Sequence, residues 1–401
     1  MSRILLTWEL GLNLGHLTRL LPIAQQLKSE GHVVLVAARD IQAAATVLTP
    51  AGIAFVQAPH LPNGIALAHR PSGYADILLS QGWSNGPSLR GLTHAWLNLL
   101  RLFNPERLIL DYSPTVSLAT RIANLPTVLV GNGFEIPPAT APLPPFPGFS
   151  WANAAEAAQS EAIAVGNANR VLSVYGGGQI ASLSDLVADQ TRLLATFAQL
   201  DHYGERADAL YIGPLLGALK APRIDWPAGS GPRIFACLRP DTSQVDTILA
   251  ALAGMTARVI CVCAGFAASR LSAFMRPHIA FSSGPVDLSA LEAADLCLTY
   301  GAEGTLLRFL LMGVPHLVSP WHVETYMAAR RIEAAGLGTA IPAGATPQSI
   351  AELVEIWTGD AQRERVKAFA QRSSGMELAR IVSIALARST VQPFTPLRAT
   401  A

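Results

Sequence analysis

Short runs of apolar, often β-branched residues alternate along the chain with longer stretches in which apolar residues recur at helical spacing. The runs of the first half are RILLTWEL, HVVLVAA, GIAFVQA, RLILDYS and PTVLVGN, with RVLSVYGG and ALYIGP closing it. The second half repeats the plan in RIFACLRP, RVICVCAG, IAFSSG, DLCLTYG and VPHLVSP. Near-continuous hydrophobicity in such short runs fits strands of a parallel sheet covered by helices on both faces. Two doubly wound α/β units in series are therefore expected. Between them lies GPLLGALKAPRIDWPAGSGPRI, residues 213–234, rich in Pro and Gly and without an amphipathic period, which reads as an interdomain linker. A second Pro-rich segment, EIPPATAPLPPFPGFSW at 135–151, follows the fifth strand and reads as a substrate-binding loop, because long irregular insertions in compact domains are usually functional or disordered. After Ser373, GMELARIVSIALARS reads as a final apolar-periodic helix.

Composition narrows the class. At 401 residues the chain exceeds the size at which one core usually stops growing, so two domains are the default. Half of its residues are hydrophobic and 14% are charged, the opposite of a disordered composition. A net charge of +1 leaves no electrostatic footprint for nucleic acid. No apolar run approaches the ~18 residues of a membrane span, and the N-terminus enters a strand rather than a signal core, so a cytoplasmic protein is expected. Cys237, Cys261, Cys263 and Cys297 sit in apolar runs without metal-binding spacing and read as buried structural thiols.

The stretch TYGAEGTLLRFLLMGVP, 299–315, ends a buried strand, turns on two glycines and enters a helix. In a doubly wound sheet, ligands bind beyond the carboxyl ends of the strands, where a helix start offers N–H groups to an anion. Gly301 and Gly304 would let backbone approach a phosphate, and Thr305 would add a hydroxyl or cap the helix. Taken alone, the stretch reads equally well as an ordinary strand-to-helix turn.

The longer segment around that turn is more specific. From Leu298 to Gly338 the chain resembles the donor-binding signature of the UDP-glycosyltransferase superfamily, with Gly301, Gly304, Thr305, Leu310, Gly313, Pro315, Pro320, Gly336 and Gly338 at matching spacings. GLNLGHLTRLLPIAQQLKSEGHVVLVAA is similar to the family's opening strand, Gly-His turn and first helix, and LDHYGERADALYIGPL to the end of its acceptor domain. The resemblance implies a GT-B fold, two Rossmann-like domains facing across a cleft. An acceptor domain would span 1–212, a linker 213–232 and a donor domain 233–375, with a helix at 376–392 returning to the first domain. It implies a nucleotide-diphosphate sugar as co-substrate, no separate cofactor, and a small-molecule or lipid-like hydroxyl acceptor whose binding allows peripheral membrane contact.

Several positions depart from the family pattern. Tyr300 stands for its phosphate-turn His, Ala302 for its second glycine and Arg308 for the ribose-binding Glu. Glu324-Thr325 replaces the Asp-Gln that reads the donor sugar. A phenol still donates one hydrogen bond, and an arginine can pair with a phosphate in bidentate fashion. Arg239, at the end of the first strand of the second half, would supply another cation to the diphosphate, or be a solvated strand-end arginine. The loop 282–288, with Val286, matches the one that meets the nucleotide base, and His322 would line the sugar pocket beside Glu324.

His16 falls at the family's base position and Asp111, ending RLILD, at that of the aspartate orienting it, with Glu9 as a fallback base. Histidine suits proton removal near neutral pH. No Asp-x-Asp occurs, so the resemblance favours metal-independent inversion with helix dipole and arginines doing the ion's work. The competing reading is a non-catalytic nucleotide-sugar-binding or partner protein on the same scaffold, motivated by the substitutions at Tyr300, Arg308, Glu324 and Thr325.

Overall fold

The computed structural model describes residues 1–12, 14–219 and 221–387, which form two compact units. The first comprises Met1–Gly217 together with the segment from Gly375 onward, and the second Ala218–Ser374.

In the first unit the strands are β1 (Arg3–Trp8), β2 (Val33–Ala38), β3 (Ala54–Gln57), β4 (Arg107–Asp111), β5 (Thr127–Gly131), β6 (Thr191–Leu194) and β7 (Leu210–Tyr211). They pair throughout in parallel, in the order β3-β2-β1-β4-β5-β6-β7. The order reverses at β1, so successive crossovers place helices on both faces, as near-continuously apolar strands require. The helices are α1 (Gly15–Ser29), α2 (Ile41–Leu48), α3 (Tyr74–Leu78), α4 (Gly86–Phe103), α5 (Pro114–Ala123) and α6 (Ala154–Val174). Leu5, Leu108, Leu110 and Leu129 from the sheet meet Trp96, Leu97, Leu100, Val116 and Ala119 from α4 and α5 in one core.

In the second unit β8 (Arg233–Cys237), β9 (Arg258–Val262), β10 (Ile279–Ser282), β11 (Leu296–Thr299), β12 (His316–Val318) and β13 (Gly338–Ala340) pair in parallel in the order β10-β9-β8-β11-β12-β13. Its helices are α7 (Val245–Gly254), α8 (Ala268–Ser272), α9 (Glu303–Leu311), α10 (Val323–Ala334), α11 (Pro347–Thr358) and α12 (Asp360–Arg372). Cys261, Cys263 and Cys297 are buried and unoxidised, and burial pushes the Cys237 thiol up to about 12. A last helix, α13 (Leu378–Ala387), packs on α1 of the first unit, burying Ile381, Val382 and Ala385. Met376 N donates to Ile212 O at 2.7 Å just before it. The part of the expected 376–392 helix beyond 387 lies outside the described residues.

One expectation needs correction. RVLSVYGG is not a strand: its first residues complete the 21-residue α6, where Val171 and Leu172 continue the buried stripe of Ala157, Ala164 and Ala168. The sheet position next to β5 is filled instead by Thr191–Leu194, a run too short and polar to stand out. The boundary between the two units falls inside the Pro/Gly-rich stretch read as a linker, after Gly217, and that stretch is held on both sides. Gly217 N donates to Thr18 O in the first unit, while Pro222 O accepts from Asp287 N and Trp226 packs on the core of the second.

Candidate functional site

Adjacent strands β1, β4 and β5 end together at the carboxyl edge of the first sheet, and each delivers a group to one cluster. Trp8 and Asp111 are register partners at the ends of β1 and β4. After β1 the chain passes Gly11 and enters α1, whose second residue is His16; the residue lies in the first helical turn, not in the loop before it. His16 Nδ1 donates to Asp111 Oδ1 at 2.7 Å. A buried carboxylate only accepts, so this bond fixes the proton on Nδ1 and leaves the Nε2 lone pair as the acceptor. Trp8 stacks on the imidazole at 5.2 Å between centroids, and Tyr112 at 6.2 Å. Nε2 faces Gly11, at φ +85°, where any Cβ would overlap the ring.

Two more charges complete the cluster, and neither stands out in the sequence. Arg19 Nη1 donates to both Asp111 oxygens at 3.1 Å and to Glu135 Oε2 at 2.5 Å. Glu135 Oε1 lies 3.5 Å from His16 Nδ1. The signal for Arg19 is its spacing, three residues from His16 and so on the same helix face. Glu135 opens the Pro-rich segment just past β5. Its place is set by a turn in which Asn132 N donates to Glu135 Oε2 at 2.7 Å and Phe134 N and Glu135 N donate to Asn132 Oδ1. A side chain at Gly131 would meet that carboxylate at 2.6 Å, so the strand must end on glycine. Burial pushes the His16 imidazole down and Arg19 adds to this, but Asp111 and Glu135 outweigh both, and its pKa stands above the ordinary value.

Glu9, the fallback base, lies apart from this cluster. It is 1% exposed and accepts from Thr115 N at 2.9 Å at the start of α5. Burial raises its carboxyl to about 7, against the lowering effect of Thr115, Val116 and Arg39.

Beside the cluster is a largely apolar pocket with about 590 Å³ of empty space, its open mouth included. Tyr74, Tyr112, Glu135, Ile136, Leu143 and Leu186 are among its walls, and Ser113, Ser117 and Ser184 supply hydroxyls. Much of one wall comes from the Pro-rich segment, at Glu135–Ala139 and Leu143.

In the second unit the ends of β8, β11 and β12 are likewise adjacent. Arg239, two residues past β8, lies over the rings of Trp321 at 4.2 Å and Tyr300 at 5.6 Å. Its Nε and Nη2 both donate to Asp241, each at 3.0 Å, so the fork expected to face a phosphate is held by an internal carboxylate. Burial raises the Tyr300 phenol well above its usual range. Gly301, at φ +93°, packs where a Cβ would come within 3.1 Å of Thr325 and Val318. A Cβ at Gly304 would meet nothing, leaving that face of the turn open.

The start of α9 has Ala302 as N-cap without a side-chain bond, so Thr305 does not cap the helix. Arg308 sits in its last turn, half-buried, with desolvation lowering and Asp287 raising its pKa. Thr325 turns inward: its hydroxyl donates to His322 O at 2.9 Å and accepts from Trp321 N at 3.1 Å, closing the N-terminus of α10. His322 is the N-cap of that helix, its imidazole lowered to about 4 by burial and by Arg239, and Glu324 lies in the first turn. Val286 is buried in the core beneath its loop rather than presented at the surface.

Full-length structural similarity agrees with this two-unit plan. The kitacinnamycin glycotransferase aligns with a TM-score of 0.71 at 18% identity over 96% of this chain and 98% of its own. The calicheamicin glycosyltransferase CalG4 aligns at 0.70 and 20% identity, covering 97% and 99%. The fold is GT-B. A third GT-B structure, the Streptomyces sp. SF2575 glycosyltransferase SsfS6 complexed with thymidine diphosphate, aligns at 0.64 and 18% identity over 97% of this chain and the whole of its own. No protein-family model and no curated protein sequence matches the chain.

Proposed function

We propose that this GT-B protein is an inverting glycosyltransferase. The observation that carries the reading is the His16–Asp111 dyad at the carboxyl edge of the first sheet, with Nδ1 committed to the carboxylate and Nε2 left to accept a proton. In the proposed reaction Nε2 takes the proton of an acceptor hydroxyl, and the oxygen attacks the anomeric carbon of the donor sugar. The bond from that carbon to the diphosphate oxygen breaks, and the diphosphate leaves with the electron pair from the opposite face, inverting the centre. Asp111 holds the productive tautomer and stabilises the imidazolium that forms.

The acceptor is assigned to the first unit, where the apolar pocket with its few hydroxyls suits a small, largely apolar molecule bearing a hydroxyl. The donor, a nucleotide-diphosphate sugar and the only co-substrate, is assigned to the second, at the open turn from Tyr300 to Thr305 with Arg239 and Arg308 as cations. His16, Asp111 and Glu135 bring potential ligand atoms within 4.8 Å of one another, but Arg19 already bridges the two carboxylates. A guanidinium in that position favours a reaction run without a metal there. The Arg239–Asp241 pair favours the second reading, a nucleotide-sugar-binding protein without transfer, because it occupies the fork a diphosphate would use.

The test begins with a thermal-shift panel of UDP-, dTDP- and GDP-sugars, since a ligand bound only by the native state raises the melting point. With the donor and an acceptor found, His16→Ala is expected to lower turnover by ~10²–10⁴-fold while donor affinity holds. Asp111→Asn is expected to slow turnover by releasing the wrong tautomer. A wild type that binds donor and transfers to no acceptor would leave the binding-protein reading standing.

A further inference from the structure

The base is embedded in more charge than a dyad needs. Asp111 and Glu135 approach His16 Nδ1 at 2.7 and 3.5 Å, and Arg19 Nη1 binds both carboxylates. All four residues are under a tenth exposed: His16 7%, Arg19 8%, Asp111 0% and Glu135 6%. Among the described residues, with His16 neutral, two carboxylates and one guanidinium give the cluster a net negative charge. With His16 protonated, two cations face two anions. Buried charges are tolerated when paired, so the cluster is balanced in the state reached after the base has taken a proton.

We infer that Glu135 and Arg19 are positioning residues for the base, Glu135 supplying the carboxylate that balances the imidazolium and Arg19 clamping the two carboxylates together beside it. The inference rests on the reading of His16 as the base, but the charge arrangement is testable without it. Two carboxylates this close would repel if nothing lay between them, and Arg19 Nη1, shared by both, removes that repulsion. Glu135 Oε2 is held by Asn132 N and Arg19, which leaves Oε1 toward the imidazole. Among the described residues, the groups facing His16 from its surroundings are Asp111 and Tyr112 at the end of β4, Glu135 after β5, and Arg19 on its own helix, with Trp8 stacked from β1. Tyr74 packs on Tyr112 from α3, and burial keeps its phenol un-ionised throughout the working range.

The two residues make opposite predictions, which a loss of packing alone would not. Glu135→Gln keeps an oxygen for Asn132 N and Arg19 but removes a negative charge beside Nδ1. Arg19→Met keeps the stem and removes the cation that opposes imidazolium. The His16 ring protons are followed by NMR across pH, assigned by their loss in His16→Gln. The midpoint is expected to fall below wild type in Glu135→Gln and to rise above it in Arg19→Met. Midpoints that coincide with wild type in both variants, or that move the same way in both, would overturn the inference.

Arg19→Lys, which keeps a point charge, is expected to return the midpoint toward wild type. If Arg19→Met fails to fold, Arg19→Lys and Glu135→Gln carry the test, and a Glu135→Gln midpoint at or above wild type decides against it. Where transfer is measurable, the acidic limb of the kcat/KM profile should follow the NMR midpoint in each variant. A protein that shows these shifts but transfers nothing would retire the enzyme reading and leave the charge balance intact.

Discussion

Glu9 is a carboxyl group whose proton affinity burial raises. Its folded pKa of about 7 lies above the ordinary 4.5, so between those values the folded state holds a proton that the unfolded chain has released. Stability therefore falls as pH rises through that window, by roughly 3 kcal/mol if the whole shift is expressed. His16 has the same sign, with its contribution present below the ordinary histidine value and lost as pH rises through its higher folded one. Glu9→Gln keeps an acceptor for Thr115 N and has no proton to lose. The variant's melting temperature should stay flat from pH 5 to 7 relative to the wild type and exceed it at pH 8. Parallel curves for the two proteins would show that Glu9 is not the titrating group. At this scale the sequence is partly legible. His16 and Asp111 stand out because they fall where the resembled family has its Gly-His turn and its strand-end aspartate. Glu135 and Arg19 do not, because a carboxylate opening a Pro-rich loop and an arginine on an amphipathic helix are ordinary until the fold brings them within hydrogen-bonding distance.

Among the elements, strand-ends explain more than strands do. Arg239, Tyr300 and Trp321 come from three adjacent strand ends, and the rings hold the guanidinium in place while Asp241 occupies its fork. For Arg239 to meet a diphosphate, it must exchange one carboxylate for the phosphate oxygens. Asp241→Asn is therefore expected to tighten nucleoside diphosphate binding, and Arg308→Ala to weaken it by ~1.5–3 kcal/mol, the range for hydrogen bonds to charged groups. Calorimetry that finds both variants at wild-type affinity would remove these residues from the proposed donor site. The alternation of strands and helices is readable because buried parallel strands are apolar at nearly every position. It fails at RVLSVYGG, where a long helix happens to finish on β-branched residues. It also fails at β6, where Arg192 stands in the strand with its Nη1 and Nη2 donating to the carbonyls of Asp208 and Val187. By its place in a motif Thr325 reads as a sugar ligand, whereas its hydroxyl is consumed in closing the start of α10.

On the scale of the whole molecule, the first unit is assembled from two distant parts of the chain. Ile381 and Val382 of α13 are 0% and 1% exposed, and α13 packs along α1, the helix that carries His16 and Arg19. Ile381→Ala should cost about 2–5 kcal/mol, the usual range for truncating a buried aliphatic residue. Hydrogen exchange should speed up in α1 and leave the helices of the second unit unchanged; equal loss of protection in both units would contradict the division. The same arrangement has a consequence for synthesis. Residues 218–374 form a continuous unit that can close as soon as they leave the ribosome. The unit that begins the chain must wait for its last helix. At roughly 5–20 residues per second, that interval is on the order of ten to thirty seconds. During it the apolar face of α1 that will receive Ile381 and Val382 stays uncovered, so the part of the protein made first is the part finished last, and it is there that a nascent chain would most need a chaperone.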